Sequence, residues 1–451
     1  MMSHLLVEII TEILSQLPVK SLLCFFCVSK SWYALIKHLD FIKLHLHRSI
    51  ETNRDRTLIL EKVTDGLPHY CYSVHFPTEN HFDKAFKLYQ PLYRRGKLVS
   101  ILDCCHSLVC IHHFTLEIHH CTDEIAIWNP LIQKYRILPP EPMSKPSGLN
   151  FSKYNEIAFG YDLCNDDYKV LRVIAFYNRG QPLKEFEVKV YSLRWHSWRK
   201  IEEQWPKKEC TVSSNSVSLN GALHWSIAED TPYDMDIPLR AECLLAFDLA
   251  TEKFLVFKTS VQREVELGTC LEVLKGQLCF IVTPDLGAEI DVWLMKEYGE
   301  ASSWTQICKI ERGSVPWTFK YCKPLMFSKN EKKILLEMRR HNLTKLVWYE
   351  IEKNRCEGVE IQNLPHWFRT ATCVGSLLLL DGDNVIDPDK AEEQEEEMHY
   401  VIFRRILFYA FCVHEVFNTL VFVFTRNESP SEDPNPNLLG KTVDENEKQE
   451  G

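Results

Sequence analysis

The sequence predicts a small all-α module followed by an all-β body, a propeller of six blades, with an extra C-terminal tail that is partly disordered. Helical periodicity is confined to residues 3–48. From 56 to 381 a unit of short strands and turn residues recurs. Its aromatic anchors Trp128, Tyr191, Phe247, Trp293 and Trp348 stand 46 to 63 residues apart, the spacing of four-stranded blades. After 381 the composition turns acidic. Residues 383–451 hold 16 Asp/Glu against 6 Lys/Arg, a balance equal to the whole chain's −10, which leaves residues 1–382 neutral. The net charge is therefore a property of the tail and says nothing about partners of the body.

Short helices make up the first module. Leu6, Ile9, Ile10, Ile13, Leu14 and Leu17 follow the i, i+3, i+4, i+7 rule of one helical face. Pro18 ends that helix and opens the next, which carries Leu22, Leu23 and Phe26. Ser29 is placed to cap a third helix with Trp32, Leu35 and Ile36 inward, and Asp40 a fourth over 41–46. About 45 residues bury too little surface to stand alone. The apolar face therefore packs on the rest of the chain or belongs to another protein, and periodicity does not choose between these.

Each unit of the body has two halves. The first is a turn and an apolar strand: HSLVCI at 106–111, NGALHWSI at 220–227, KGQLCFI at 275–281 and GSLLLL at 375–380. The second is a strand with an aromatic, a polar turn and another strand, as in IAIWNPLIQKYRIL at 125–138 or LLAFDLATEKFLVF at 244–257. Left over are TLIL at 57–60 and YCYSVHF at 70–76 at one end and GSLLLL at the other. Pairing them builds a sixth blade from both ends and closes the ring without open edges. A two-sheet sandwich is the alternative, disfavoured by so many strands at this period.

Two regions carry a family likeness. Leu17-Pro18-Val19-Lys20-Ser21-Leu22, Cys27-Val28-Ser29-Lys30-Ser31-Trp32, Leu35-Ile36, Phe41-Ile42 and His45-Leu46 resemble the F-box of plant F-box proteins. IWNP (127–130), FGYD (159–162), DDYKVLRV (166–173), VYSLRWHSWRKI (190–201), LNGALHW (219–225), FDL (247–249) and DVWLMKEYGEASSWTQI (291–307) resemble the kelch-like F-box-associated domain of the same plants. The likeness covers roughly residues 5–381. It divides the chain into an F-box at 3–48, a propeller at 56–381, and a tail at 382–451 made of an acidic linker, an apolar segment and a disordered end.

That resemblance implies a substrate-recognition subunit of a Skp–cullin–F-box ubiquitin ligase, without catalysis of its own, in the cytoplasm or nucleus. By resemblance, a Skp-type adaptor would dock on Leu5, Ile9, Ile13, Leu14, Leu17, Pro18, Leu22, Cys27, Trp32 and Leu35, and lead through itself to cullin and RING subunits. Leu5-Leu6 stands where the family usually has Leu-Pro, a departure expected to weaken docking without abolishing it. The body looks most like members that restrain plant immune receptors, and S-locus F-box proteins share the architecture. A propeller that binds a small molecule or glycan without ubiquitin transfer is the alternative.

For the unknown target, the candidates are Trp317, Phe319 and Tyr321 in GSVPWTFKYCKP, and Trp367 beside His366 and Phe368. Loops of a propeller meet ligands, and large aromatics anchor interfaces. Alternating aromatics next to proline also suit a strand packed between blades.

No catalytic set emerges. Cys104, Cys105, His106, Cys110, His112, His113, His119, His120 and Cys121 tempt a zinc reading, but no paired C-x-x-C is present and the run overlaps a blade strand. Cys24 and Cys27 form a C-x-x-C inside an F-box helix, away from any thioredoxin context. P-loop, G-x-S-x-G and dinucleotide motifs are missing from the sequence. With no secretory signal in sight, the 17 cysteines read as reduced thiols. No metal, cofactor or nucleic acid is expected. At 400–424 Arg404, Arg405 and Glu415 cut the apolar segment into runs well short of the roughly 18–20 residues of a spanning helix, so no membrane is expected either.

Overall fold

The computed structural model describes residues 2–378 together with 384–385, apart from 53–55, 64–69, 77–81, 93–97, 115–123, 143–147, 149–150, 179–184, 203–204, 206–209, 213–215, 230–240, 260–268, 283–288, 312, 314–318, 320, 341 and 379–383. The apolar segment at 400–424 and the rest of the tail lie outside the described residues.

Four helices come first: α1 (Met2–Leu14), α2 (Val19–Phe25), α3 (Lys30–Lys37) and α4 (Leu39–Glu51). Pro18 precedes α2 in an extended conformation, and the Ser29 hydroxyl accepts the Trp32 N–H at 3.1 Å, capping α3. Asp40 falls in the first turn of α4 instead of capping it, and the His38 ring takes that place, accepting the Asp40 N–H at 3.4 Å. Leu14, Val19, Leu22, Ile36, Phe41 and Ile42 form the core of the module. At its rim the ring of His45 bonds the Leu17 carbonyl at 2.8 Å, and Arg48 pairs with Glu12 at 2.6 Å.

The strands follow in chain order. First are β1 (Arg56–Lys62), β2 (Cys71–His75) and β3 (Phe86–Leu88). Blade one is β4 (Leu98–Cys105), β5 (Leu108–Phe114), β6 (Glu124–Asn129) and β7 (Lys134–Ile137). Blade two is β8 (Phe151–Asp162), β9 (Asp167–Tyr177), β10 (Glu185–Ser192) and β11 (Ser197–Lys200). Blade three holds β12 (Cys210–Val212) and β13 (Val217–Leu219), both paired with β14 (Ala222–Glu229), then β15 (Ala241–Asp248) and β16 (Lys253–Lys258). Blade four is β17 (Thr269–Leu274), β18 (Gln277–Val282), β19 (Glu289–Met295) and β20 (Trp304–Glu311). Blade five is β21 (Tyr321–Phe327), β22 (Lys333–Arg340), β23 (Leu343–Glu350) and β24 (Arg355–Gly358). Finally β25 (Phe368–Val374) pairs antiparallel with β1 and completes blade six in the order β25-β1-β2-β3. A short β26 (Asn384–Val385) adds to the outer edge of blade one.

All five aromatic anchors sit on the third strand of their blades: β6, β10, β15, β19 and β23. The apolar residues gather into six clusters, one at each seam between neighbouring blades. Each blade thus covers one face on the blade before it and the other on the blade after, as a sheet buried on both faces must.

Two-residue turns with both φ positive join β13 to β14 (Asn220 at 52°, Gly221 at 76°) and β17 to β18 (Lys275 at 55°, Gly276 at 69°), the twist that matches tight hairpins. Other turns start from a strand-end Asp or Asn. Asp162 Oδ1 accepts the N–H groups of Cys164 and Asn165, both at 3.0 Å, and Asp248 Oδ1 accepts that of Ala250 at 3.1 Å.

One expectation fails. The strand that closes the ring is FRTATCV, not GSLLLL. Residues 375–378 leave the sheet, and Leu377 is buried against Leu14, Leu22 and Ile36 of the helical module. An apolar run signals burial but not the element that supplies it. Here the run is needed for helix packing, while the ring-closing strand lines the central cavity and carries Arg369 and Thr370.

Candidate functional site

Two surfaces and one channel are available for binding. On the helical module, the sequence-derived docking set splits. Leu14 and Leu22 are fully covered and serve the core. Ile9 (51 % exposed) and Ile13 (56 %) stand one helical turn apart on α1 and face outward. Pro18 and Cys27 are exposed as well, while Leu17, Trp32 and Leu35 are half-buried. Trp32 holds its place by an edge-to-face contact with Phe25 at 5.4 Å. Leu5 belongs to α1, but its side chain lies outside the described residues. Sequence reasoning missed Val7, Val28, Tyr33 and Leu39, all exposed. They fall off the dominant apolar stripe, so periodicity gives them no weight.

The innermost strands enclose an axial cavity of about 1050 Å³. Its wall mixes polar and apolar side chains, and its acidic and basic residues balance. Lys323 on β21 reaches Glu272 of blade four at 2.9 Å and the Thr370 carbonyl of blade six at 3.3 Å, joining three blades. Burial opposes its charge, yet Glu272 and Glu337 hold the ammonium above its ordinary value. Glu337 is fully buried on β22, and one of its oxygens accepts the Thr370 N–H at 2.8 Å and the Thr370 hydroxyl at 2.5 Å. Arg339 lies over the Tyr321 ring at 3.5 Å and meets Glu337 at 2.8 Å. Glu61 of β1 is buried to 2 % exposure, and desolvation raises its carboxyl to about 7 against the opposing charge of Arg369. Burial likewise pushes Asp103 well above the usual carboxylate range, with Glu272 adding to the effect.

The aromatic target candidates do not share one surface. Phe319 is 4 % exposed in the seam between blades four and five, so packing claims it. Tyr321 lies on the channel wall with its hydroxyl 3.2 Å from Cys270 Sγ. Trp367 is half-buried just before β25, its carbonyl accepting the Val63 N–H at 2.9 Å. Trp317 lies outside the described residues. The most exposed large apolar residue described is Trp195 (74 %), in the β10–β11 turn near Arg194. Leu163, in the β8–β9 turn of the same blade, follows at 61 %. A tryptophan in the polar turn SLRWHS was the signal available in the sequence, and the periodic reading passed over it.

No group of three or more His, Cys, Asp or Glu converges on a metal-like geometry among the described residues. His106 instead bonds the Tyr168 hydroxyl at 2.8 Å, and burial lowers its imidazole to about 4. His119, His120 and Cys121 lie outside the described residues. Burial raises the thiols of Cys71, Cys105, Cys110, Cys270, Cys279 and Cys322, and pushes Cys308 up to about 12, so none of these is activated as a nucleophile. One departure from the all-thiol expectation exists: Cys104 and Cys373 are joined. No helix among the described residues is long and apolar enough to cross a membrane.

Residues 2–44 match the family described as the F-box domain, and 70–379 the F-box associated beta propeller domain. The chain is 29% identical over 394 residues to F-box protein CPR1 of Arabidopsis thaliana, covering 84% of this chain and 89% of that protein. It is 25% identical over 413 residues to F-box protein At4g22390 of the same plant, covering 86% and 93%. The sequence motifs that suggested the likeness turn out to be structural clasps. Asn129 of IWNP donates to the Ser376 and Leu378 carbonyls, each at 3.1 Å. Asp162 of FGYD meets Lys169 of DDYK at 2.8 Å, and Lys169 also donates to the Leu249 carbonyl of FDL at 2.6 Å. A Cβ on Gly160 would stand 2.6 Å from Ser218 Oγ and 2.9 Å from a Leu223 methyl, so any larger residue there would have to displace those two side chains of blade three.

Proposed function

Because the chain belongs to the F-box-associated β-propeller family of F-box proteins, we propose that it is the substrate-recognition subunit of a Skp–cullin–F-box ubiquitin ligase. A Skp-type adaptor docks on the helical module, a target protein on the propeller, and the ligase delivers ubiquitin to that target. The chain's own contribution is proximity, which raises the effective concentration of a target lysine near the charged conjugating enzyme. This reading carries with it a cytoplasmic or nuclear location.

The supporting observation is the outward pair Ile9 and Ile13 on a module whose core is already filled by Leu14, Leu22 and Ile36. Apolar side chains left over once a core is complete mark a partner surface. On the propeller, Trp195 is the strongest candidate anchor for a target, being large, rigid and uncovered.

The test is capture of a purified Skp-type adaptor by the full chain and by the double variant Ile9→Asp/Ile13→Asp. Losing two central apolar contacts should weaken capture by tenfold or more while the melting temperature stays put. Undiminished capture by this variant would remove the docking assignment. A parallel Trp195→Ala variant should keep the adaptor and lose proteins that accumulate on the chain when the proteasome is blocked. If that set is unchanged, Trp195 is not the anchor.

A further inference from the structure

Cys104 and Cys373 are 269 residues apart in sequence, yet their Cα atoms are 6.3 Å apart and their sulfurs are joined. That Cα separation is one a disulfide spans without moving the backbone. Cys104 lies on the innermost strand of blade one and Cys373 on the innermost strand of blade six. Blade six is the one blade built from both ends of the propeller. Its closure depends on the β25–β1 ladder, from Arg56↔Val374 to Lys62↔Phe368, and on packing against blade one. The two sulfurs differ in access. Cys373 is fully buried, whereas Cys104 is half-buried and lines the axial cavity.

We propose that Cys104 and Cys373 form an oxidation site that locks the ring closure of the propeller. In the reduced form, β25 is held by hydrogen bonds and apolar contacts alone. In the oxidised form, residues 104–373 are one covalent loop, and β25 stays on blade one even when its ladder to β1 opens. Residues 375–378 run directly from β25 into the helical core, so the link also fixes the anchorage of Leu377. In a reducing compartment such a pair rests as thiols and responds to oxidation, unlike the structural bridges of secreted proteins.

A low-molecular-weight disulfide of the glutathione class is a sufficient oxidant. The channel-facing Cys104 thiolate attacks one sulfur of that disulfide, whose S–S bond breaks to release one thiol. The Cys373 thiolate then attacks the Cys104 sulfur of the mixed disulfide and releases the second thiol. Two electrons pass from the protein pair to the oxidant, and the two protons of the protein thiols end on the released thiols. Cys71 is buried in the same cluster and is the competitor for Cys373 that the test must separate.

The experiment equilibrates the full chain in reduced or oxidised glutathione, alkylates free thiols and maps unreduced peptides by mass. The expected result is a peptide pair joined through Cys104 and Cys373 in the oxidised sample only. Melting should rise by several degrees on oxidation, because cross-linking a long loop restricts the unfolded chain. That rise should vanish in Cys104→Ser, whose melting should equal that of the reduced natural chain. Cys373→Ser puts a hydroxyl at a fully buried position, so Cys104→Ser carries the comparison and Cys373→Ser is read only for loss of the linked peptide. A missing linked peptide, a link from Cys373 to Cys71 instead, or melting that does not respond to oxidation would each overturn the proposal.

Discussion

Among the described residues, seven large apolar side chains are exposed on the helical module of about fifty residues, among them Val7, Ile9, Ile13 and Val28, and eight on the whole propeller. The propeller has somewhere to put its apolar faces, since each blade is covered by two others. The helical module has a core of six residues, one borrowed side chain from Leu377, and much left over. Surface that remains apolar after the core is complete implies an absent partner, while surface that is polar throughout implies that binding is carried by a few chosen side chains. The two regions should therefore respond to mutation in opposite ways: seam residues through stability, helical surface residues through association.

The sharpest way to break this contrast is at a seam. Phe247→Ala removes a fully buried ring from the junction of blades two and three and should cost about 3–5 kcal/mol, read as a lower denaturation midpoint. A loss below about 1 kcal/mol would mean that the seams are not where the propeller's stability lies.

A smaller effect comes from the channel wall. The raised carboxyl of Glu61 binds a proton in the folded chain that the unfolded chain gives up near its ordinary value of 4.5. Its stabilising proton is fully present below 4.5 and lost as pH rises through about 7. The term is at most about 3 kcal/mol and destabilises at neutral pH. Between pH 6.5 and 8 the Glu61 contribution falls with pH, while His106 and His224, lowered in the folded chain and ordinary in the unfolded one, contribute a rise over the same range. In unfolding midpoints at pH 6.5 and 8, Glu61→Gln should remove the Glu61 fall and leave that of Glu156, which burial also raises to about 7. An unchanged slope in Glu61→Gln would show that the carboxyl is already ionised.

Smallest of all should be the bridge between the two regions, the ion pair of Lys43 on α4 with Asp166 in the β8–β9 turn. Both partners are nearly half exposed, so Lys43→Ala should change stability by less than about 1 kcal/mol. A larger loss would mean that this exposed pair, and not Leu377 alone, couples the module to the propeller.

The blade count was legible because the aromatic anchors occupy one strand position in five blades, and because turn residues such as Asn220-Gly221 punctuate them. FGYD, DDYK and FDL were legible because each supplies a charge or cap that a turn cannot do without. The closing strand was not. Arg369 and Thr370 face a channel, and nothing local distinguishes a channel wall from a loop. The docking set mixed Leu14 with Ile13, since periodicity finds the apolar residues of a helix without saying which are already covered. Phe319 and Tyr321, two residues apart, belong to a seam and to the channel, a division set by blade packing rather than by either residue. Cys104 and Cys373 meet only because the ring closes, so no local pattern could have paired them.

Leu377 sits in the core of a helical module that begins at residue 2, and β25 completes a blade whose other three strands lie between residues 56 and 88. A chain emerging from the ribosome therefore makes its first domain and its first blade strands long before it makes the pieces that finish them. Blades one to five can form as they appear, each on its predecessor, but the helical module and blade six both wait for the same stretch, 368–377. Synthesis that stops short of that stretch leaves an open ring and an unfilled helical core together. The last strand thus completes two parts at once: the helical module and blade six are both finished only when residues 368–377 have been made.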